Sequence, residues 1–227
     1  MKRLGIYFFF DKDGIVDKYV DYVLEDLTKH VDKLIVVCNG QLNERGRKTF
    51  EKFTGNIIVR ENKGFDVWAY KTAIDSEGWN KLIEYDEIIL MNYTIMGPVY
   101  PLKEMFDIMD KRLELDFWGI TKCFQENSPV AQQIWQCPYG YIPEHIQSSF
   151  MAFRRSIVSS TIFQKYWDEM PMIKSYYESG GSHEQYITKY FSDNGYRWDC
   201  YTNYDDMDEE IYTCLLYTSP SPRDTER

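Results

Sequence analysis

Short apolar runs alternate with helically spaced apolar residues over the first part of the chain. The runs cover residues 4–10, 33–38, 56–59 and 87–91, and turn-forming residues bound them. Between the runs, over residues 16–27, 42–53 and from about Asp66 onward, apolar side chains recur every three or four positions. This alternation predicts an α/β fold, with a mostly parallel central sheet flanked by helices in a single domain.

The alternation is less regular after residue 91. Helices are predicted over residues 101–113, 157–167 and 182–194, and strands over residues 116–120, 149–153 and 197–202. Residues 121–144 show neither pattern and are predicted to form a long loop. Because loops of this length are uncommon in compact domains, we expect a functional lid or an acceptor-binding segment there.

Size and charge narrow the classes of function. With 227 residues, of which 44% are hydrophobic, the chain can bury one substantial core. Its formal net charge of −10 disfavours non-specific nucleic-acid binding and docking on anionic lipid, which both need Lys and Arg. No apolar segment approaches the roughly 18 residues of a membrane span. We therefore expect a cytoplasmic protein; peripheral attachment at the inner face of the membrane, through partners, stays open.

The cysteines do not predict a metal site. Cys38, Cys123, Cys137 and Cys200 form no C-x-x-C pair, and no histidine lies at zinc-finger spacing. Cys38 lies within an apolar run and is predicted to be a small core residue.

The candidate site begins at a strand–loop–helix segment, residues 60–71 (RENKGFDVWAYK). In α/β proteins such a junction brings backbone N–H groups and a helix N-terminus close to phosphate. Gly64 allows close approach of the backbone, and Asp66 either caps the helix or meets a sugar hydroxyl. An ordinary capped turn is the alternative for this segment taken alone.

Polar residues gather at the carboxyl ends of four predicted strands. They are Asp11, Asp13, Asn39, Asn62, Gly64, Asp66, Asn92 and Thr94. Each one alone is typical of a turn or a helix cap. Because ligands of open α/β sheets bind outside the carboxyl ends of the strands, we expect the set to converge on a ligand.

Four stretches carry a resemblance to a known family. They are NKGFD at residues 62–66, YDEIILMNYTIMGP at 85–98, DFWGIT at 116–121 and HIQSSFMAF at 145–153. In this order and spacing they resemble the rhamnan synthesis protein F family, over about residues 4–202. The resemblance implies a GT-A-like glycosyltransferase of bacterial cell-surface polysaccharide synthesis, which includes lipopolysaccharide and cell-wall glycans. It further implies a nucleotide-sugar donor such as dTDP-rhamnose, a glycan or lipid-linked acceptor, and other polysaccharide-assembly enzymes as partners.

The resemblance also implies that Asn62 and Asp66 contact the base, ribose or diphosphate of the nucleotide-sugar donor. The other predicted donor-site residues are Asp11, Asn39, Gly64, Asn92 and Thr94, with Lys71 as an alternative phosphate partner. GT-A transferases usually carry an Asp-x-Asp metal site where this chain has Asn92-Tyr93-Thr94. Tyr93 cannot replace a carboxylate ligand of Mg²⁺ or Mn²⁺. We therefore expect weak or absent metal binding, with Asn92 as the one ligand at most, and a diphosphate neutralised by Lys71, Arg154 or Arg155.

On the acceptor side, Glu184 opens a predicted helix where, by resemblance, a transferase presents its acceptor-side carboxylate. The alternative is that Glu184 only complements the helix N-terminus. The other predicted catalytic residues are His145 and Asp116, and the predicted sugar or acceptor contacts are Trp118, Gln147 and Ser148. The structural alternatives are a hydrogen-bonded core residue for His145, a turn residue for Asp116 and a core residue for Trp118.

The end of the chain differs from the rest. Residues 214–224 can be back-translated, codon by codon, into a sequence that resembles a transposase-type sequencing adapter. We predict that residues 1–213 form the domain and that residues 214–227 are a non-native tail, so that the native C-terminus is missing. A Pro/Ser linker is the alternative.

Two other classes of protein compete with the glycosyltransferase interpretation. A non-catalytic GT-A-like module that binds sugar or partner enzymes is the main alternative, because Tyr93 occupies the usual carboxylate position. A Rossmann-type enzyme is disfavoured, because the chain lacks G-x-G-x-x-G.

Overall fold

A seven-stranded sheet forms the centre of the computed structural model, which describes residues 1–202. The strands of the molecule are β1 (Arg3–Phe10), β2 (Lys33–Asn39), β3 (Ile57–Arg60), β4 (Glu87–Asn92), β5 (Phe117–Gly119), β6 (Lys122–Cys123), β7 (His145–Ile146), β8 (Phe150–Arg154) and β9 (Trp198–Cys200). The central sheet has the order β3-β2-β1-β4-β8-β5-β9, and β6 pairs with β7 separately. Within the central sheet β8 runs antiparallel to both neighbours, while the other pairs are parallel. The predicted α/β fold with a mostly parallel sheet is confirmed.

Helices cover both faces of this sheet. The α-helices within residues 1–202 are α1 (Lys18–Leu27), α2 (Glu44–Glu51), α3 (Phe65–Glu77), α4 (Trp79–Leu82), α5 (Leu102–Met109), α6 (Pro129–Trp135), α7 (Arg155–Val158), α8 (Thr161–Asp168), α9 (Tyr176–Ser179) and α10 (Gln185–Asp193). A π-helical turn, Gly180–Glu184, joins α9 to α10. Side chains alternate between the faces along β1: Phe8 packs with α3, α8 and α10, whereas Tyr7 and Phe9 pack with α1, α2 and α5.

The boundaries differ from the sequence prediction where local capping decides them. The predicted helix over residues 157–167 is two helices, because the Ser160 side chain accepts a hydrogen bond from the Phe163 amide and begins α8. The prediction of a structureless loop over residues 121–144 was wrong at α6. There the Ser128 side chain caps the helix and Pro129 occupies its first turn, which together are a helix-start signal.

A buried charge network closes the amino-end edge of the sheet. Glu87, which is 0% exposed, accepts hydrogen bonds at 2.8 Å from Arg3 Nε and from Trp118 Nε1. Arg3 also pairs with Asp110, and Arg154 Nε lies 3.6 Å from Glu87. The two guanidinium groups and the indole N–H therefore stabilise one fully buried carboxylate, at the opposite edge from the polar strand ends described above.

Within residues 1–202, no helix has the length and apolar character that crossing a membrane requires. The predicted non-native tail, residues 214–227, lies outside the described residues.

Candidate functional site

The loop between β3 and α3 is held in a conformation that few residues tolerate. Gly64 has φ 76°, and a Cβ there would lie 2.5 Å from the Trp68 side chain, so only glycine fits. Phe65 also has a positive φ, 55°, which is costly for a bulky residue. Asn39, at the end of β2, compensates: its Nδ2 donates to the Phe65 carbonyl at 3.0 Å, while its Oδ1 accepts from Arg60 at 2.7 Å. These contacts fix where α3 begins.

Asp66, in the first turn of α3, is the centre of the candidate site. Its Oδ1 accepts from the Val67 amide at 3.0 Å and from the Ser179 hydroxyl at 3.3 Å. Its Oδ2 accepts from Asn92 Nδ2, at the end of β4, at 3.4 Å. All three donors are neutral, so the carboxylate is oriented by hydrogen bonds rather than by an ion pair.

Glu184, the last residue of the π-helical turn, lies within electrostatic range of Asp66. Its Oε2 accepts from the Ser148 amide at 2.9 Å and from the Ser148 hydroxyl. Burial, followed by the charge of Glu184, raises the pKa of Asp66, although the hydrogen bonds from Asn92, Val67 and Ser179 oppose the shift. Two carboxylates from distant parts of the chain therefore share one site, where a proton or a hydrogen-bond donor is favoured.

Neutral polar side chains extend this site toward the two-stranded sheet of β6 and β7. The Thr121 hydroxyl donates to Gln147 Oε1 at 2.5 Å, and the Gln147 amide donates to the Thr121 carbonyl at 3.0 Å. Burial, and next the charge of Glu184, raise the pKa of the Cys123 thiol to about 12. Cys123 therefore stays a neutral thiol at physiological pH and is a poor nucleophile.

The segment Asn92–Thr94 does not fit a divalent cation. Asn92 Oδ1 already accepts from the Thr94 amide, at 3.1 Å, and from the Thr94 hydroxyl. The Tyr93 ring packs edge-on against Phe8 and Phe9, with centroids 5.6 and 5.7 Å away. Among the residues that the structure describes, no group of three or more His, Cys, Asp or Glu is placed to hold a metal ion.

The structure corrects four assignments by placing the residues away from Asp66. Asp116 precedes β5 at the amino-end edge, where it accepts from the Ser156 hydroxyl at 2.6 Å and from the Arg197 amide at 2.8 Å. Trp118 is 0% exposed and donates to Glu87, so it fills the core and cannot stack on a sugar.

The two arginines lie at that same edge. Arg154 donates to the Met109 and Arg112 carbonyls, and Arg155 donates to the Tyr85 carbonyl at 3.0 Å. Neither can reach a diphosphate at the strand ends.

Both histidines near the site make structural contacts. His145 is buried in β7 with its Nδ1 2.7 Å from the Pro143 carbonyl. His183, within the π-helical turn, lies 2.7 Å from the Tyr166 hydroxyl through Nδ1, and burial lowers its pKa to about 3. His183 is therefore neutral at physiological pH, and its ring packs against Tyr166 and Trp167.

Two of the predicted donor-site residues make local contacts, and a third is exposed. Asp11 Oδ1 accepts from the Asp13 and Ile15 amides at 2.9 Å each, which shapes the turn after β1. Lys71 Nζ lies 3.4 Å from Asp75, one turn further along α3. Asn62 is exposed in the β3–α3 loop.

The predicted residues that the structure brings together are Gly64, Asp66, Asn92, Thr94, Gln147, Ser148 and Glu184, with Asn39 supporting the loop. Ser179 was not predicted as a site residue, because α9 was not predicted. The signal was present: Ser175 accepts from the Glu178 amide at 3.1 Å, and a Ser-x-x-Glu spacing is a helix start.

Comparison with known proteins identifies the family. The model for rhamnan synthesis protein F matches residues 34–221, which is more than half of the chain and includes Asp66 and Glu184. This chain belongs to the rhamnan synthesis protein F family. The match runs past residue 213, and the boundary of the proposed non-native tail stays a prediction.

A relative of this rhamnan synthesis F chain is an uncharacterized protein, y4gN, of Sinorhizobium fredii. The two are 23% identical over 150 residues, which are 66% of this chain but 35% of the relative. The chain thus spans about a third of that protein's length.

Two crystal structures of glucosyl-3-phosphoglycerate synthase from Mycobacterium tuberculosis are also similar. The complex with phosphoglyceric acid has a TM-score of 0.43, and the complex with Mn²⁺, UDP-glucose and phosphoglyceric acid has 0.42. Each is 12% identical and covers 69% of this chain and 57% of its own. Those ligands belong to that synthase, and a likeness at these scores carries no argument about the rhamnan synthesis F chain.

Proposed function

We propose that this domain is a GT-A-type glycosyltransferase that transfers a sugar, such as rhamnose, from a nucleotide-sugar to a growing cell-surface polysaccharide. Membership of the rhamnan synthesis protein F family supports the substrate class. The observation that carries the proposal is the position of Asp66, held by Asn92 and Ser179, at the carboxyl edge of a mostly parallel sheet, where such sheets bind ligands. Glu184, held by Ser148, lies within electrostatic range of it.

In the proposed reaction Glu184 is the general base. Ser148 holds Glu184 Oε2 through its amide and its hydroxyl, and we assign Oε1 to the acceptor hydroxyl. The acceptor's hydroxyl oxygen forms a bond to the anomeric carbon while the hydroxyl proton passes to Glu184. At the same time the bond from the anomeric carbon to the nucleoside diphosphate breaks. Asp66, held by Asn92 and Ser179, orients the sugar.

The diphosphate is assigned to the N-terminus of α3. The backbone there is fixed by Gly64, and Arg60 lies at the adjacent end of β3, where it also donates to the Lys63 carbonyl at 2.8 Å. A helix N-terminus and a guanidinium both favour an anion. Arg60 thereby takes the role for which the sequence suggested Lys71, Arg154 or Arg155.

A non-catalytic sugar-binding module is the second candidate. The packing of Tyr93 against Phe8 and Phe9 favours it, because no carboxylate occupies the position at which GT-A transferases usually hold their metal.

Glu184→Gln separates the two functions. If Glu184 is the base, the variant should lose about 10²- to 10⁴-fold in turnover, while its Kd for dTDP-rhamnose or UDP-glucose stays within roughly threefold of the parent's. Glu178→Gln is the matched control, because Glu178 accepts from the Lys174 amide on the same segment. Release of nucleoside diphosphate and calorimetric binding are the measurements. A parent protein that binds a nucleotide-sugar without transfer to glycan acceptors would favour the module.

A further inference from the structure

Three aromatic side chains meet at the surface beside the π-helical turn. The ring of Trp135, at the end of α6, has its centroid 5.7 Å from that of Tyr176 and 5.6 Å from that of Tyr177, and the two tyrosine rings of α9 are 5.8 Å apart. We call these three residues the aromatic cluster. Tyr176 is 58% exposed and Tyr177 is 51% exposed, so a ligand can reach both rings. Exposed apolar surface shared by several contacting side chains is typical of a binding site.

The aromatic cluster is continuous with the candidate site. Tyr176 and Ser179 are three residues apart in α9 and so lie on the same side of it, and the Ser179 hydroxyl donates to Asp66 at 3.3 Å. Trp135 packs against two glycines of the turn that ends in Glu184. One helical turn is about 5.4 Å, which is close to the length of one pyranose unit. A glycan that starts at the site therefore needs more than one sugar to reach the cluster.

We propose that the aromatic cluster is an acceptor subsite, which binds the second or third sugar of a glycan chain while the terminal sugar presents its hydroxyl to Glu184. The C–H groups on the apolar face of a pyranose stack on an aromatic ring, because the face of the ring carries partial negative charge. This inference deepens the proposed function and rests on it for the class of acceptor. It adds that the preferred acceptor is an oligosaccharide, and it names the residues that measure its length.

A hydrocarbon chain, as in a lipid-linked acceptor, is the competing occupant. Val130 and Ile134 are aliphatic, lie one turn apart on α6, and are 65% and 46% exposed. The aromatic cluster, rather than this aliphatic pair, adjoins Ser179 through α9. Tyrosine also combines an apolar ring with a hydroxyl that can hydrogen-bond, which suits a sugar better than an alkyl chain.

Tyr177→Ala tests the subsite, and its half-exposed side chain makes the change mild for the fold. Calorimetric titration with a rhamnan trisaccharide, without nucleotide-sugar, should show roughly three- to tenfold weaker binding than in the parent, the size expected for one lost stacking contact. Tyr177→Phe keeps the ring and should bind the trisaccharide as the parent does. The Kd for UDP-glucose or dTDP-rhamnose should not change in either variant.

Tyr22→Ala is the matched control. Tyr22 is 56% exposed on α1, which packs on the other face of the sheet, so this variant should bind the trisaccharide as the parent does. In transfer assays Tyr177→Ala should raise the KM for the trisaccharide by the same factor as the Kd. Its KM for methyl rhamnoside, a single sugar too short to reach the aromatic cluster, should stay at the parental value.

The outcomes separate this inference from the proposed function. If the parent transfers sugar to the trisaccharide but Tyr177→Ala binds it equally well, the subsite is overturned while the transferase stands. Binding of farnesyl phosphate without binding of the trisaccharide would show that the cluster serves a lipid and would also overturn the subsite. A Tyr177→Phe protein as weak as Tyr177→Ala would overturn stacking. If the trisaccharide binds through Tyr177 but no nucleotide-sugar is bound or transferred, the proposed transferase fails and the subsite stands as a glycan-binding surface.

Discussion

Asp66 carries a charge that the folded protein disfavours. Burial and Glu184 both raise its pKa, so the folded protein binds this proton more tightly than the unfolded chain does. The stability that Asp66 contributes is therefore present in full below its unfolded pKa and is lost as pH rises through its folded pKa. A residue that costs stability at neutral pH is expected at a binding site.

Asp66→Asn should remove this cost. The Tm of the variant relative to the parent should increase as the pH rises from acidic to neutral, since the variant has no carboxylate to ionise. Scanning calorimetry across that range measures the difference, and Asp75→Asn, further along α3, is the control. A difference that is constant with pH would contradict the account. Binding of nucleotide-sugar should weaken in the same variant.

Single residues were predictable where the fold forces strand ends together. Asn92 ends β4, and Asp66 lies in the first turn of α3, which packs over β2 and β1 between β3 and β4. Both residues therefore lie at the carboxyl edge that the strand–helix alternation predicts, and they meet there. The contact of Ser179 with Asp66 depends on how residues 175–184 pack against α3, which no local pattern specifies. Trp118 was misassigned because a three-residue strand is too short to show which face is buried.

At the scale of elements, the π-helical turn is locked by a close backbone contact. A Cβ on Gly181 would lie 1.8 Å from the Trp135 carbonyl oxygen, and one on Gly180 would lie 2.3 Å from the Trp135 ring. The segment predicted as an open loop thus docks, through α6, on the turn that presents Glu184. The close approach holds α6 against the turn that contains Glu184.

Gly181→Ala should disrupt this docking. Forcing a methyl group into the contact should lower the free energy of unfolding by about 1–3 kcal/mol and displace Glu184, with loss of transfer activity. Gly55→Ala is the control, because nothing lies within 4 Å of the added Cβ and its φ is ordinary. Denaturant unfolding and turnover measure the two effects. A Gly181→Ala protein with parental stability would show that the contact relaxes without cost.

For the whole molecule, a buried charge network and the candidate site lie at opposite edges of the sheet. The amino-end edge holds the Glu87 network with Arg3, Arg154 and Trp118, and the carboxyl-end edge holds Asp66 and Glu184. The alternation of strands and helices sufficed to predict the sheet and its edges. It did not predict the buried ion pairs, because partner choice between residues far apart in sequence depends on the packed structure.

Glu87→Ala should destabilise the whole domain. The substitution leaves two buried guanidinium groups without their carboxylate, and breaking such a network costs about 3–5 kcal/mol. Glu84→Ala, which removes an exposed pair with Lys2, should change the free energy of unfolding by less than about 1 kcal/mol. Chemical denaturation compares them. Equal, small effects would mean that the network is replaceable.

The hydrogen bond between Ser179 and Asp66 joins residues 113 positions apart. At typical synthesis rates of about 5–20 residues per second, roughly 6–20 s pass on the ribosome between the emergence of Asp66 and that of Ser179. During this interval the strand ends can already be assembled, but the carboxylate faces water and Glu184 has not been made. A nascent chain should therefore acquire its first secondary structure well before it can hold a sugar, and nucleotide-sugar added during translation should protect only late intermediates from proteolysis.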